Sequence, residues 1–291
     1  MRYEGDIYRP PSEAGSLILQ ATVGCSHNKC AFCSMYKNKK FRVRELSEIF
    51  ADIEEVAKQI KEVKRVFLAD GNSLAIPTEQ LLQILSRLYE AFPYLERVSV
   101  YANPQDILDK GVEQLGLLRE AGLTLAYLGV ETGNQELLEK VNKGATREEM
   151  VEAGRIAREG GITLSVTVIN GLGGKELMGR HAQDTAVLLS QMDPDYLAFL
   201  SLMLAPGAPM TRWAEKGEFV PLEPMEILEE IRLMLQDLEL SSCVFRSNHA
   251  SNYLPLKGHL PQDQERLLQM LDEVLQKKDT RYLRPEQFRS L

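Results

Sequence analysis

From residue 16 to about 210, short apolar runs rich in β-branched residues alternate with longer stretches of helical period. The runs predict strands at 16–22, 65–70, 97–102, 124–131, 162–169 and 196–204. Most are continuous rather than alternating, as expected of parallel strands covered on both faces. After the first run, Leu46, Ile49, Phe50, Ile53, Val56, Ala57 and Ile60 recur at the i, i+3, i+4, i+7 spacing of an amphipathic helix, and 77–91 repeats the pattern. Thr146 and Glu149 are spaced as the capping box of a helix running to about Gly160. The alternation predicts an α/β fold with six parallel strands, closed into a partial (β/α)6 TIM-type barrel or left as an open sheet. In either case ligands bind at the C-terminal strand ends. Beyond Pro206, helices near 224–240 and 262–277 flank the irregular segment CVFRSNHASNYLPLKG, which predicts a C-terminal, mainly helical extension.

Composition places the chain among ordinary globular proteins, with 291 residues, 44% of them hydrophobic and 26% charged. Its 34 basic and 42 acidic side chains leave a net charge of −8, so the surface as a whole repels nucleic acid and anionic membranes. The chain has no apolar run near the ~20 residues of a membrane span and no apolar signal segment at its start, so a cytoplasmic location is expected. Against the acidic background, Lys37, Lys39, Lys40, Arg42 and Arg44 form a basic island. It reads as a solvated loop, a docking patch for an acidic electron donor, or a phosphate-binding edge. The phosphate-loop patterns GxGxxG and GxxxxGK[ST] are absent.

Three of the four cysteines, Cys25, Cys30 and Cys33, cluster in ATVGCSHNKCAFC just beyond the first strand, and Cys243 stands far away. Such spacing suggests a metal site rather than an extracellular disulfide framework. With three thiolates, a [4Fe-4S] cluster keeps one iron open to a small molecule. The C-x4-C-x2-C spacing also opens a plant-type [2Fe-2S] ferredoxin, and three cysteines with His27 make a zinc set. Cys243 reads as a buried small hydrophobe.

The three-cysteine loop, Phe32 before its last cysteine and the βα array that follows resemble the radical S-adenosylmethionine (SAM) superfamily. The usual family spacing is CxxxCxxC, and this chain departs from it with CxxxxCxxC. The resemblance runs from the cysteine loop to Met210, and with the change of pattern after Pro206 it implies a core barrel over 1–222 and an extension over 223–291 packed on the barrel. It also implies a [4Fe-4S] cluster on Cys25, Cys30 and Cys33 whose open iron chelates SAM, and reductive cleavage of SAM to methionine and a 5′-deoxyadenosyl radical. Asp70, Gly71 and Asn72 stand where the family has a turn, often Gly-Gly-Glu, that holds the SAM amino group. The segment LGVETGNQELLEKVNKGAT resembles its counterpart in methylthiotransferases and oxygen-independent coproporphyrinogen oxidases, which implies Glu131 on the ribose hydroxyls and Lys143 on the SAM carboxylate. Thr167, Asn170 and Gly171, with Leu204 and Ala205 in a Pro-Gly turn, match segments that pack against adenine.

In the tail, Arg246, Asn248, His249, Asn252 and Tyr253 give a polar density that suggests a lid, with Arg246 pairing a substrate carboxylate and His249 moving a proton. The expected partners are a small-molecule substrate and an electron donor such as flavodoxin or ferredoxin. An enzyme modifying tRNA or a peptide, and a zinc-stapled binding protein without catalysis, are the alternatives.

Overall fold

The structure, a computed structural model, describes residues 1–290. In chain order its elements are β1 (Leu17–Gln20), β2 (Thr22–Val23), β3 (Arg42–Val43), α1 (Leu46–Gln59), β4 (Arg65–Ala69), α2 (Thr78–Ala91), β5 (Arg97–Ala102), α3 (Pro104–Glu120), β6 (Leu123–Glu131), α4 (Gln135–Lys140), α5 (Arg147–Glu159), β7 (Thr163–Asn170), α6 (Gly174–Met192), β8 (Tyr196–Ser201), α7 (Pro209–Glu215), α8 (Pro224–Asp237), β9 (Cys243–Ser247), β10 (Leu256–Leu260) and α9 (Gln264–Lys277). The fold is α/β, with a mostly parallel eight-stranded sheet in the order β1-β4-β5-β6-β7-β8-β9-β10. The six predicted strands are present. The Thr146 capping box also forms: Thr146 N–H donates to Glu149 and Glu149 N–H donates to the Thr146 hydroxyl, at 2.7 and 3.2 Å.

The chain divides into two compact units, one of 1–28, 35–128 and 155–164, the other of 29–34, 129–154 and 165 onward. In the first, β1, β4, β5 and β6 pair in parallel with Leu19 opposite Leu68, Phe67 opposite Ser99 and Val100 opposite Ala126. Phe67, Tyr101 and Tyr127 share one face and meet edge to face, with ring centroids 4.9 to 6.0 Å apart. Ile49 and Ile53 of α1 and Ile84 and Leu88 of α2 are fully buried, as their helical spacing requires, and so are Ile107 and Leu118 of α3, on either side of its kink at Gly111. The predicted strand 16–22 breaks at Ala21, and β2 instead pairs antiparallel with β3.

That small ribbon draws most of the basic island inward. Lys39 ion-pairs with the buried Asp70 at 2.7 Å, Arg44 with the buried Asp52 at 2.8 Å, and Arg42 with Glu4. Lys37 donates to the Asn28 carbonyl at 2.9 Å. Four of the five cations therefore serve the fold.

In the second unit β7, β8 and β9 run parallel and β10 returns antiparallel to β9. The segment expected to be irregular thus contributes two strands, and the extension is not helical throughout. Cys243, Phe245 and Ser247 are buried while Val244 and Arg246 are not, the period-2 alternation of a strand with one covered face. Phe245 stacks edge to face on Phe199 at 5.1 Å, and both are fully buried. Asn252 ties the β9–β10 connection to the sheet by donating to the Phe199 carbonyl and accepting from Ser201 Oγ, at 2.7 and 2.9 Å. Among the described residues no helix is long and apolar enough to cross a membrane.

Candidate functional site

In the first unit, the turn after β4 grips the start of the cysteine loop. Gly24 N–H donates to Asp70 Oδ2 at 3.0 Å, and Gly71 N–H donates to the Gly24 carbonyl at 3.0 Å. Asn72 accepts from Ser26 N–H at 2.9 Å and donates to Ser26 Oγ at 2.7 Å. A Cβ at Gly71 would lie 2.7 Å from Cys25 Cβ and 2.8 Å from the Gly24 carbonyl, so only glycine lets the two turns approach this closely. The predicted trio Asp70, Gly71 and Asn72 is thus spent largely on positioning Cys25, but Asp70 keeps one buried oxygen, Oδ1, without a hydrogen-bond partner among the described residues.

Two residues that the motif reading missed join them. Asn103 caps α3 and donates to Cys25 Sγ at 3.9 Å; Asp106, three residues on, receives the Asn72 amide at 2.9 Å and is pushed up to about 6 by burial. Their signal was in the sequence, since Asn103-Pro104 followed by Asp106 is an N-cap, a proline at N1 and an acid at N3.

In the second unit, the segment 29–34 that carries Cys30 and Cys33 is pinned at Ala31, whose N–H donates to the Val141 carbonyl at 2.8 Å and whose carbonyl accepts from Met210 N–H at 3.0 Å. Ala31 is buried among Leu137, Val141 and Leu172, and Phe32 packs on the same cluster. At the end of β6, Glu131 adopts φ +66° and folds back on its own strand to ion-pair with Lys143 at 3.0 Å. A Cβ at Gly129 would run into that carboxylate. Glu131 and Lys143, predicted separately as SAM contacts, are therefore one buried pair. Thr132 and Asn134 anchor the loop that follows to α6 through His181 at 2.8 Å and Asp184 at 2.6 Å.

At the end of β7, Gly171 turns at φ +81° and its N–H donates to Glu230 of α8 at 2.6 Å. The Asn170 side chain points to the same helix, 3.4 Å from Glu230, so it lies on the opposite face of the strand from Thr167. Gly171, Leu202, Leu204 and Ile227 line a small apolar cavity, which brings two of the predicted adenine contacts together. Ala205 lies in the turn after it and accepts from Thr211 Oγ1 at 2.7 Å. In the tail, Arg246 is exposed on β9. His249 is half-buried, with Nδ1 accepting from Ser251 N–H at 3.1 Å, and burial and the Arg284 guanidinium hold it below the usual histidine range.

Glu230 and His181 lie 3.9 Å apart and are fully buried. Burial pushes the Glu230 carboxyl up to about 8 and His181 down to about 4. Between the unfolded and folded Glu230 values the native state holds the extra proton, so rising pH destabilises it by about 1.4 kcal/mol per pH unit. His181 acts in the opposite sense, but only below the ordinary histidine value of about 6.5. Denaturant unfolding between pH 6.5 and 8 therefore isolates Glu230. Wild-type stability is expected to fall across that window and Glu230→Gln to flatten the slope; parallel slopes would refute the assignment.

A [4Fe-4S] cluster and SAM fit the donor chemistry present. Cys25, Cys30 and Cys33 are half-buried thiols, accessible in a way Cys243 is not, and Asp70 Oδ1 is a buried acceptor with no hydrogen-bond partner among the described residues. Among the described residues, no three His, Cys, Asp or Glu side chains are gathered as a site for one metal ion.

The sequence profile of the Radical SAM superfamily matches residues 19–188, more than half of the chain. The heme chaperone HemW of Bacillus subtilis is 27% identical over 169 residues, covering 57% of this chain and 43% of that protein. An uncharacterized protein of Methanocaldococcus jannaschii is 24% identical over 254 residues, covering 81% of this chain and 74% of that one. Among solved structures, coproporphyrinogen III oxidase of Escherichia coli, a radical SAM enzyme, superposes with a TM-score of 0.56 at 21% identity over 76% of this chain and 52% of the other. That likeness concerns the fold, a partial TIM-type barrel. The chain thus spans about half the length of several of the proteins it matches. It belongs to the radical SAM superfamily, as an enzyme whose family implies a [4Fe-4S] cluster on the three clustered cysteines, SAM, a substrate and a reductant.

Proposed function

We propose that the protein cleaves SAM reductively and uses the product to take a hydrogen atom from a small organic substrate, in the cytoplasm. When bound, the cluster would supply the electron for reductive cleavage of SAM to methionine, and the hydrogen taken from the substrate would end in 5′-deoxyadenosine. Cys25, Cys30 and Cys33 would hold the cluster, and Asp70, through its orphaned oxygen, would accept from the SAM ammonium. Glu131 would receive ribose hydroxyls while its partner Lys143 meets the carboxylate. Gly171 and Leu204 would flank adenine, with Thr167 and Ala205 beside them; Asn170 would act through the Gly171 turn it shares with Glu230. Arg246 and His249 would face the substrate, and flavodoxin or ferredoxin would supply the electron.

The observation that carries this reading is the close approach of the glycine turn after β4 to Cys25, which fixes a thiol-bearing loop against a carboxylate with an unused acceptor. The reading as a tRNA-modifying enzyme gains nothing from the basic island, whose charges are mostly held internally. Anaerobic reconstitution followed by reduction with dithionite and SAM is expected to release 5′-deoxyadenosine, and more of it once cell metabolite extract supplies a substrate. Stoichiometric zinc in anaerobically purified protein, with no 5′-deoxyadenosine formed, would overturn the proposal in favour of a zinc-stapled binding protein.

A further inference from the structure

The sheet of the second unit has two unlike faces. Val168, Phe199 and Phe245 are fully buried on one, and Asn170 on that face meets Glu230 and Met234 of α8. On the other face the registers set Thr167 opposite Ala198, Ala198 opposite Arg246, and Arg246 opposite Lys257. This row crosses four strands without a fully buried side chain: Thr167 and Ala198 are half-buried, Arg246 and Lys257 exposed.

Two cations thus stand directly opposite each other on an antiparallel pair, an arrangement that destabilises a sheet. Among the described residues neither has an acidic partner. The Arg246 guanidinium reaches only the Phe245 carbonyl, at 2.9 Å, in a chain that carries a net charge of −8. Edge protection accounts for a lysine on β10, the last strand of the sheet, but not for an arginine on β9, which is paired on both sides. Ala198 separates the cations from Thr167 with the smallest side chain a chiral residue has. With neighbouring strands about 4.8 Å apart, Arg246 lies two strands, roughly 10 Å, from Thr167. Arg246 is one residue from the C-terminal end of β9, the end at which α/β folds bind ligands.

We propose that Arg246 and Lys257 form an oxyanion subsite that takes a carboxylate or phosphate group of the substrate, with the substrate body lying over Ala198 toward Thr167. The planar guanidinium supplies a two-pronged donor and the ammonium a point charge, and the bound anion relieves the repulsion between them. The proposal rests on the radical SAM reading for the identity of the substrate, not for the binding of the anion.

The test titrates inorganic phosphate and, separately, acetate into wild-type protein at constant ionic strength, following the arginine side-chain resonances by NMR. Saturable binding in the millimolar range is expected, at least tenfold weaker in Arg246→Gln and in Lys257→Gln, and unchanged in Lys277→Gln, an exposed lysine of α9. Binding of phosphate alone would mark a phosphate-bearing substrate; binding of acetate as well, a site that also accepts carboxylates. Each charge-removing variant is also expected to unfold at a higher temperature than wild type at low salt without phosphate. The proposal is overturned if neither anion saturates, if Lys277→Gln weakens binding as much, or if either variant is less stable than wild type, which would make the cations structural. SAM cleavage by wild-type protein is scored separately, so a failure there counts against the radical SAM reading and not against the anion subsite.

Discussion

Alanine at Cys25, Cys30 or Cys33 is expected to abolish SAM cleavage completely, and alanine at Cys243 to leave iron and sulfide at about four each per chain. Ligation requires a sulfur that the metal can reach, and the two kinds of cysteine differ in exposure. The three clustered thiols are half-buried in a loop held by backbone hydrogen bonds at Gly24 and Ala31. Cys243 is 2% exposed on the covered face of β9, and burial, with Asp193 and Asp195 nearby, pushes its thiol up to about 12. At neutral pH it stays protonated and packs as a small hydrophobe. Iron and acid-labile sulfide analysis after anaerobic reconstitution, with circular dichroism to confirm folding, separates the cases. If Cys243→Ala also lost the cluster, the cluster would have a fourth protein ligand and no open iron.

Much of this was legible in the sequence, for a physical reason. The strand at 65–70 is buried on both faces and so announces itself as a continuous apolar run. The strands β9 and β10 were missed because each is covered on one face only. Alternation then places Arg246, Lys257 and His259 inside short strands and hides the pattern in five residues each. The basic island misled for another reason: its partners Glu4, Asp52 and Asp70 are brought to it by the fold, and charge partners are not visible in local composition. Glu230 left a faint trace. It falls three residues after Ile227 and four before Met234, on the apolar stripe of α8, where an acid is out of place unless something holds it. What holds it is the Gly171 turn, a contact 59 residues away in sequence.

Glu131→Ala is expected to do two kinds of damage that companion variants can separate. Lys143 is only 8% exposed, and removing the Glu131 carboxylate takes away a buried ion pair, which is expected to lower folding stability. The same carboxylate is the proposed acceptor for ribose hydroxyls, and a hydrogen bond to a charged group contributes about 1.5–3 kcal/mol, or ten- to a hundredfold in SAM affinity. A third effect is backbone strain, because Glu131 sits at φ +66°, where alanine is disfavoured and glycine is not. Glu131→Gly therefore removes the carboxylate without the strain, and Glu131→Gln keeps an acceptor for both Lys143 and ribose while removing the charge. The expected order of SAM affinity is wild type, then Gln, with Gly and Ala together at the bottom. The expected order of thermal stability is wild type, then Gln, then Gly, then Ala. Equilibrium dialysis with labelled SAM and thermal melts of cluster-loaded protein, at matched iron content, measure the two series. SAM affinity that stays at the wild-type level in all three variants, while stability falls, would assign Glu131 wholly to Lys143 and remove it from the cofactor site.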